Sequence, residues 1–187
     1  TAQIARAKAN VTDLVLSDSL NTSEIRKAVR ALERINARPH SLTPGFFPFF
    51  AHPDCKYDLI GDTNTGSWLD VRKYTESKEK DIELNKIGDV YGAKGFMTSN
   101  IQQVSNSTTN VYYNNIMISE ESFGVVEITG SGASGATPKI IVHQPGTAGI
   151  YDPLNQKGSV GWKIDFAVKT LRATGIRKMQ TAASITE

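Results

Sequence analysis

Four patterns in this chain could carry chemistry: a glycine-rich stretch, a lone cysteine, a row of aspartates and a column of arginines. The first, Gly130 to Gly135, is a literal G-x-G-x-x-G after an apolar stretch. That pattern holds a pyrophosphate when a helix begins inside it. Here Thr137-Pro138-Lys139 leads into Ile140-Ile141-Val142, which predicts a strand. We therefore interpret the glycines as a hairpin loop, with nucleotide binding as the alternative.

Nucleophilic chemistry would have to come from the single cysteine, Cys55, or from serines activated by His40, His52 or His143. No histidine lies in an H-E-x-x-H motif or beside a G-x-S-x-G elbow, and nothing near Cys55 in sequence would activate it. The sequence therefore predicts no catalytic residue, no metal ligand set and no bound cofactor, and a protein that is not an enzyme.

Asp54, Asp58 and Asp62 would lie along one face of a helix predicted from Pro53 to about Ile60. Three carboxylates in a row could bind a metal ion, but acidic faces are common on helices that contact solvent, and we prefer that interpretation. A calcium loop at Asp62 to Gly66 is excluded by spacing, because the glycine stands fifth instead of sixth.

A column of like charges is the fourth pattern. Arg26, Arg30, Arg34 and Arg38 follow one another at i+4 positions, where helical like charges repel by a few tenths of a kcal/mol per pair. The column is either a solvated basic face or a surface whose counter-charge comes from another subunit or from nucleic acid. We name these four arginines as the candidate inter-subunit or nucleic-acid-facing residues.

The element that would position the arginines is a helix predicted over Thr22 to Ala37. Ile25, Ala28, Val29, Leu32 and Ile35 form one stripe on a 3.6-residue period. Thr22 or Asn21 can cap it, and Pro39 follows its predicted end.

Three further elements complete the expected architecture. A short helix is predicted within Ala2 to Leu16, with an extended LVLSDS segment as the alternative. An aromatic strand is predicted over Phe46 to Ala51, in which Pro48 argues against a central position with full pairing. Trp162, Ile164, Phe166 and Val168 alternate with polar or small residues, which predicts one long half-buried strand. Its apolar side is the expected partner of the helix stripe, so the fold class is α+β.

Composition is that of a globular chain with a packed core. The 187 residues carry a net charge of +2, but residues 1–40 and 157–187 are basic while residues 41–156 hold thirteen acidic against eight basic side chains. This asymmetry predicts a basic lobe formed by both ends of the chain around an acidic middle lobe. A single cysteine excludes an internal disulfide, and no apolar run of about 18 residues predicts a membrane span.

The order of segments resembles the major capsid proteins of tailed bacteriophages with the Hong Kong phage-type shell fold, within them the family typified by the podovirus N-four coat protein. The segments that carry the resemblance are IRKAVRALERINARP, FFAHPDCKYDL, GSWLD, LNKIGDVYGAKGF, SFGVVEI and HQPGTAGIYDPLNQKGSVGWKIDFAVKTL. The last is the most specific, because PG-x-x-G followed by DPLNQ and GWK is found in that family in this arrangement. The resemblance extends from about Ser19 to the C-terminus.

The resemblance implies a structural subunit of an icosahedral bacteriophage capsid, without an active site. Residues 1–50 with 153–187 would form the peripheral lobe, with Thr22 to Ala37 as its spine helix, and residues 51–152 the axial lobe around the five-fold and six-fold axes. The expected partners are copies of the chain in pentamers and hexamers, the packaged DNA genome on the inner face, and scaffold or decoration proteins, with no membrane. The expected location is the virion, assembled in the host cytoplasm.

The front of the chain departs from that family, because only about twenty residues precede the main helix. The N-terminal arm and the extended hairpin loop of such coat proteins are therefore expected to be missing. Two alternatives remain: a nanocompartment shell protein of the same fold, or a nucleic-acid-binding module using the Arg26 to Arg38 face. Against the module, aromatics are not interleaved with the basic residues and the total charge is nearly neutral.

We predict that no nucleotide binds at Gly130 to Gly135, because a strand follows where pyrophosphate binding needs a helix N-terminus. Thermal unfolding with ATP or NAD should match unfolding without them. A saturable stabilisation that disappears in the Gly132→Val variant would contradict this prediction.

Overall fold

The computed structural model of the chain describes residues 3–6, 13–73, 86–105, 111–127, 138–147, 154 and 156–185. These residues form a mixed α+β fold, as the sequence predicted. The helices are α1 (Thr22–Glu33), α2 (Pro53–Gly61) and α3 (Trp68–Lys73). The strands are β1 (Gln3–Arg6), β2 (Phe47–Ala51), β3 (Lys86–Val90), β4 (Ala93–Met97), β5 (Gln103–Ser105), β6 (Val111–Ile118), β7 (Phe123–Glu127), β8 (Lys139–His143), β9 (Ser159–Lys163), β10 (Phe166–Thr170) and β11 (Ile176–Ala182).

The chain divides into two compact units. The first contains Thr1–Ser122 with Arg172–Glu187, and the second contains Phe123–Leu171. The predicted peripheral and axial lobes, residues 1–50 with 153–187 and residues 51–152, have other boundaries and stay a prediction. The placement of lobes around the axes of a shell stays a prediction.

A seven-stranded mixed sheet organises the first unit. Its strand order is β1-β11-β6-β2-β4-β3, and β5 pairs with β6. β11 and β6 pair antiparallel, whereas β1 with β11 and β2 with β4 pair parallel. The prediction of a helix within Ala2 to Leu16 is wrong for Gln3–Arg6, which form β1. These residues pair with Arg177–Gln180 of β11, and the local sequence does not reveal such a distant partner. Residues 7–12 of that segment lie outside the described part.

The strand β2 is central but lacks full pairing, in agreement with the expectation drawn from Pro48. It lies between β6 and β4, but its pairing with β6 involves Phe49 and Phe50 only. Pro48 is registered with Lys94 of β4, so the missing proline N–H falls where β2 has a neighbour on one side alone.

Helix α1 begins as predicted and ends earlier. Asn21 caps it, its side-chain oxygen accepting from the Glu24 amide at 3.1 Å. After Glu33 the Ala37 amide donates to the Leu32 carbonyl and the Asn36 amide to the Glu33 carbonyl. Asn36 has φ +50°, and these two bonds form a Schellman motif. Asn36, not Pro39, therefore ends the helix.

One hydrophobic core holds this unit together. The α1 stripe predicted from periodicity is buried in it, and the core unites helix and sheet residues. Its largest fully buried apolar side chains are Leu20, Ile25, Leu32, Phe49, Leu59, Trp68, Met117 and Met179. Burying side chains of this size stabilises the fold by about 1.5–3 kcal/mol each.

The second unit corrects the prediction of one long strand over Trp162 to Val168. The segment is divided into β9, which pairs with β8, and β10, which pairs with β7. Ile164 and Asp165 separate them, and Lys163 pairs with Asp165 at 3.0 Å. Trp162 is 73% exposed, so the alternation of apolar residues here does not mark a half-buried strand. The apolar partners of the helix stripe are instead those of its own unit's core.

We expect Gly95→Ala to destabilise the protein by about 1–3 kcal/mol, the usual cost of overpacking. A Cβ at Gly95 would lie 2.6 Å from Cβ of Ile87, whose β-branched side chain has little freedom to move. Denaturant unfolding measures the change.

The matched control is Gly61→Ala at the end of α2, where an added Cβ meets nothing within 4 Å. It should be neutral or slightly stabilising. Equal stability of the Gly95→Ala and Gly61→Ala variants would contradict the steric argument.

Candidate assembly surface

The outer face of α1 carries the arginines singled out in the sequence. Arg26, Arg30 and Arg34 are exposed, and Arg34 retains helical dihedral angles just beyond Glu33. The guanidinium of Arg26 lies over the Tyr91 ring, 4.9 Å from its centroid, a cation–π contact that fixes this side chain. Among the described residues, Arg30 and Arg34 form no ion pair.

Arg38 does not extend this column, which corrects the predicted i+4 continuation. The left-handed residue Asn36 turns the backbone before Arg38 is reached. Arg38 is exposed, and its carbonyl accepts from the Glu120 amide at 2.9 Å. Three arginines therefore follow the helix, and the fourth lies beside the turn between β6 and β7.

Two further arginines, which the sequence analysis missed, contact the C-terminal end of α1. Arg177 of β11 donates to the Ala31 carbonyl at 3.0 Å, and Arg172 donates to the Ile35 carbonyl at 3.1 Å. Cations are favourable there because the last carbonyls of a helix carry its negative dipole end. Burial lowers the pKa of Arg177, but a guanidinium stays charged in proteins. No local motif marks these residues, since the contacts span 137 and 146 positions.

The helix face and β11 together enclose a basic depression. Its lining residues are Lys27, Arg30, Ala31, Arg34, Ile35 and Arg177. Lys27 is also bonded to Glu24, at 2.7 Å, whereas Arg177 is only 8% exposed and lies at the base. Four cationic side chains that line one depression can bind an oxyanion by charge-assisted hydrogen bonds.

Cys55 lies on the buried side of α2, in a polar network with β6 and β11. Asn115 donates to Thr181 at 2.9 Å and to Cys55 Sγ at 3.4 Å, and its oxygen accepts from the His52 amide at 3.3 Å. Burial raises the pKa of the Cys55 thiol to about 11. A protonated, fully buried thiol is a poor nucleophile, so the network is structural.

The three aspartates that the sequence placed on one helix face have separate partners, and Asp62 lies just beyond the end of α2. Asp54 accepts from the Tyr113 hydroxyl, and Asp58 accepts from the Ser184 amide at 2.9 Å. Asp62 accepts from Asn64. Burial, with the Asp54 bond second, raises the pKa of Tyr113. In the described part of the chain no group of three or more acidic, histidine or cysteine side chains could hold a metal ion.

Each of the three histidines has a different structural position. His52 caps α2 through Nδ1 and stacks on the Tyr113 ring at 4.4 Å. His40 accepts from the Leu42 amide, and His143 ends β8 in the second unit.

The glycine stretch Gly130 to Gly135 lies outside the described residues, so its interpretation stays a prediction. No helix in the described ranges is long and apolar enough to cross a membrane.

No protein-family model matches this chain, and no curated protein matches it. A solved structure does: the capsid of Ralstonia phage GP4, with a TM-score of 0.70 and 13% sequence identity. The match covers 100% of this chain and 53% of the other, so the chain spans about half the length of that capsid protein. The fold is similar to that of a phage capsid protein. At this identity the likeness establishes the fold alone and does not identify a family.

We expect Cys55 in the folded protein to react very slowly with a thiol-specific aromatic disulfide at neutral pH, because the thiol becomes accessible only when the structure opens. In denaturant one thiol per chain should react at once. The control is Leu42→Cys, which places a second thiol at a position 84% exposed. Similar native-state rates for Cys55 and the added cysteine would contradict the assignment of a buried, inert thiol.

Proposed function

We propose that the chain is a structural subunit of a bacteriophage capsid shell that encloses the viral genome, and not an enzyme. The observation that carries this proposal is the structural likeness to a phage capsid across the whole chain. Because a fold does not fix a function, the surfaces of the chain must also suit repeated contacts with its own copies.

Exposed apolar strands in the second unit support an assembling protein. Every described strand there presents large apolar side chains to solvent, among them Val126, Ile140, Val160, Trp162, Phe166 and Val168. Contiguous exposed apolar surface on a folded chain usually marks an interaction site. Burial between copies would remove it from water.

The basic face of α1 supports the same proposal. Arg30 and Arg34 lack acidic partners within the described residues, and their repulsion opposes the isolated helix slightly. Counter-charge from neighbouring copies would relieve it. On this proposal the partners are copies in pentamers and hexamers, packaged DNA, and scaffold or decoration proteins. The location is the virion, and the specific coat-protein family and peripheral and axial lobes belong to the same proposal.

A nucleic-acid-binding module is the second candidate, favoured by the same two arginines. It predicts binding to DNA that weakens steeply with salt, in a chain that does not assemble. A nanocompartment shell would instead form closed particles that hold protein cargo. Electron microscopy of the purified chain, and of any longer protein that contains it, separates these candidates: shell-like particles or capsomer-like rings support the proposal, and their absence from both samples would overturn it.

We predict that Arg30→Gln combined with Arg34→Gln changes the free energy of unfolding by less than about 0.5 kcal/mol, since exposed substitutions away from structural contacts usually do. The same pair should reduce particle yield or make assembly more sensitive to salt, because exposed charges are screened. Calorimetry and particle counting by electron microscopy measure the two effects.

Arg177→Gln is the contrasting variant, because it removes a buried bond to the end of α1 and should lower the melting temperature. Unfolding of the Arg30/Arg34 double variant, with normal particle yield, would show that these arginines serve folding and not assembly.

A further inference from the structure

Two of the cations that line the basic depression on the first unit have no carboxylate partner in the described part of the chain. Lys27 has Glu24, and Arg177 is held by the Ala31 carbonyl. Arg30 and Arg34 at its rim have no carboxylate partner among the described residues. Cations grouped in this way repel one another, so an anion placed between them is stabilised by several charges at once.

The shape of the depression favours a carboxylate over a nucleic-acid backbone. Two of its six lining residues, Ala31 and Ile35, are aliphatic, and Arg177 is buried. A phosphate backbone needs an extended basic track, whereas the chain as a whole carries only +2. A single side chain that enters from above can be bound by two guanidinium groups, whose planar donors match a carboxylate.

The chain itself offers a suitable carboxylate. Among the described acidic residues, Glu33 and Glu121 are exposed and take part in no ion pair or hydrogen bond through their side chains. Glu33 lies on α1 itself, at the edge of the arginine face. Glu121 lies at the tip of the turn between β6 and β7, and projects from a different element.

Several hydrogen bonds hold the turn that carries Glu121. Ser122 Oγ donates within the turn to the Ser119 carbonyl at 2.7 Å and is within 3.1 Å of the Gly175 carbonyl. The Ser119 amide donates to the same Gly175 carbonyl at 3.0 Å, and Glu121 is held at φ +61°. A non-glycine residue in this conformation is maintained only by surrounding contacts, so the backbone of the turn loses little conformational entropy when the Glu121 carboxylate binds.

We propose that the depression lined by Lys27, Arg30, Arg34 and Arg177 receives the Glu121 carboxylate of a neighbouring copy of this chain. The proposal rests on the proposed shell function and names one of its contacts. The charges are complementary, the arginines supply the donors, and the hydrogen-bonded backbone of the turn carries the acceptor.

The position of the turn sets the symmetry of this contact. The Glu120 amide binds the Arg38 carbonyl, and Arg172 bonds through its amide to Ser122 and through its guanidinium to Ile35. The turn and the depression therefore lie side by side on one face of the first unit. A patch that holds both an acceptor and its receptor is self-complementary, which is the property of an interface around a two-fold axis.

The test is a charge exchange in the full chain, followed by sedimentation at low and high salt. Arg34→Glu and Glu121→Arg should each weaken self-association at least tenfold, and the chain with both changes should recover most of it. Lys56→Glu makes the same kind of charge change as Arg34→Glu at a half-exposed position outside the depression, and this variant should associate like the unchanged chain.

The possible results distinguish the shell proposal from the proposed contact. If the unchanged chain and all variants form shell-like particles equally well, the shell proposal stands and this contact is wrong. If the unchanged chain never self-associates, this contact is wrong, and the shell proposal is decided by electron microscopy of the longer protein. A third outcome is that Arg34→Glu abolishes binding to a single-stranded oligonucleotide, and that the chain with both Arg34→Glu and Glu121→Arg recovers no self-association. The depression would then bind nucleic acid, and the proposal would be overturned. Recovery in the exchanged chain, lost at high salt, is the result we expect.

Discussion

The burial of one face of α1 against the mixed sheet is the constraint on which the rest of the first unit depends. The apolar stripe can reach the core in only one rotation of the helix, and this rotation directs Arg26, Arg30 and Arg34 outward. Both ends are then fixed by polar contacts: Asn21 caps the first turn, and the guanidinium groups of Arg172 and Arg177 bind the last carbonyls. The basic face is thus a consequence of core packing, and its geometry needs no separate stabilisation.

A second constraint acts inside the sheet, where polar side chains determine the register of β6 and β11. Asn114 accepts from Gln180 at 3.0 Å, and Asn115 donates to Thr181 at 2.9 Å. All four side chains are buried, and a shift by one residue would leave them without these partners, at a cost of about 1–3 kcal/mol for each unsatisfied group. Cys55 belongs to the same network, which explains why the chain's one thiol is structural.

The sequence predicted the features that depend on local pattern: the N-terminus and buried stripe of α1, the proline-initiated α2, the aromatic strand β2 and the α+β class. It failed where distant pairing decides the outcome. Gln3–Arg6 form a strand because β11 lies beside them, and Trp162 to Val168 divide because β8 and β7 pair with different halves. The candidate surface was found in part. Periodicity located Arg30 and Arg34, but only the fold brings Arg177 to them, and the early helix end at Asn36 removes Arg38.

Likeness in fold at 13% identity leaves the function to be argued from surfaces. A shell subunit needs contacts that are individually weak, since each subunit makes many of them and linked contacts multiply their effect without any single one being strong. Exposed charge pairs meet this requirement, because each contributes about 1 kcal/mol or less and is weakened by salt. The arrangement on α1 has this character: an arginine face that folding tolerates at small cost, beside a turn whose carboxylate folding does not use. These complementary charges contribute little to the stability of a single chain. On the proposed function, they would stabilise a contact between two copies.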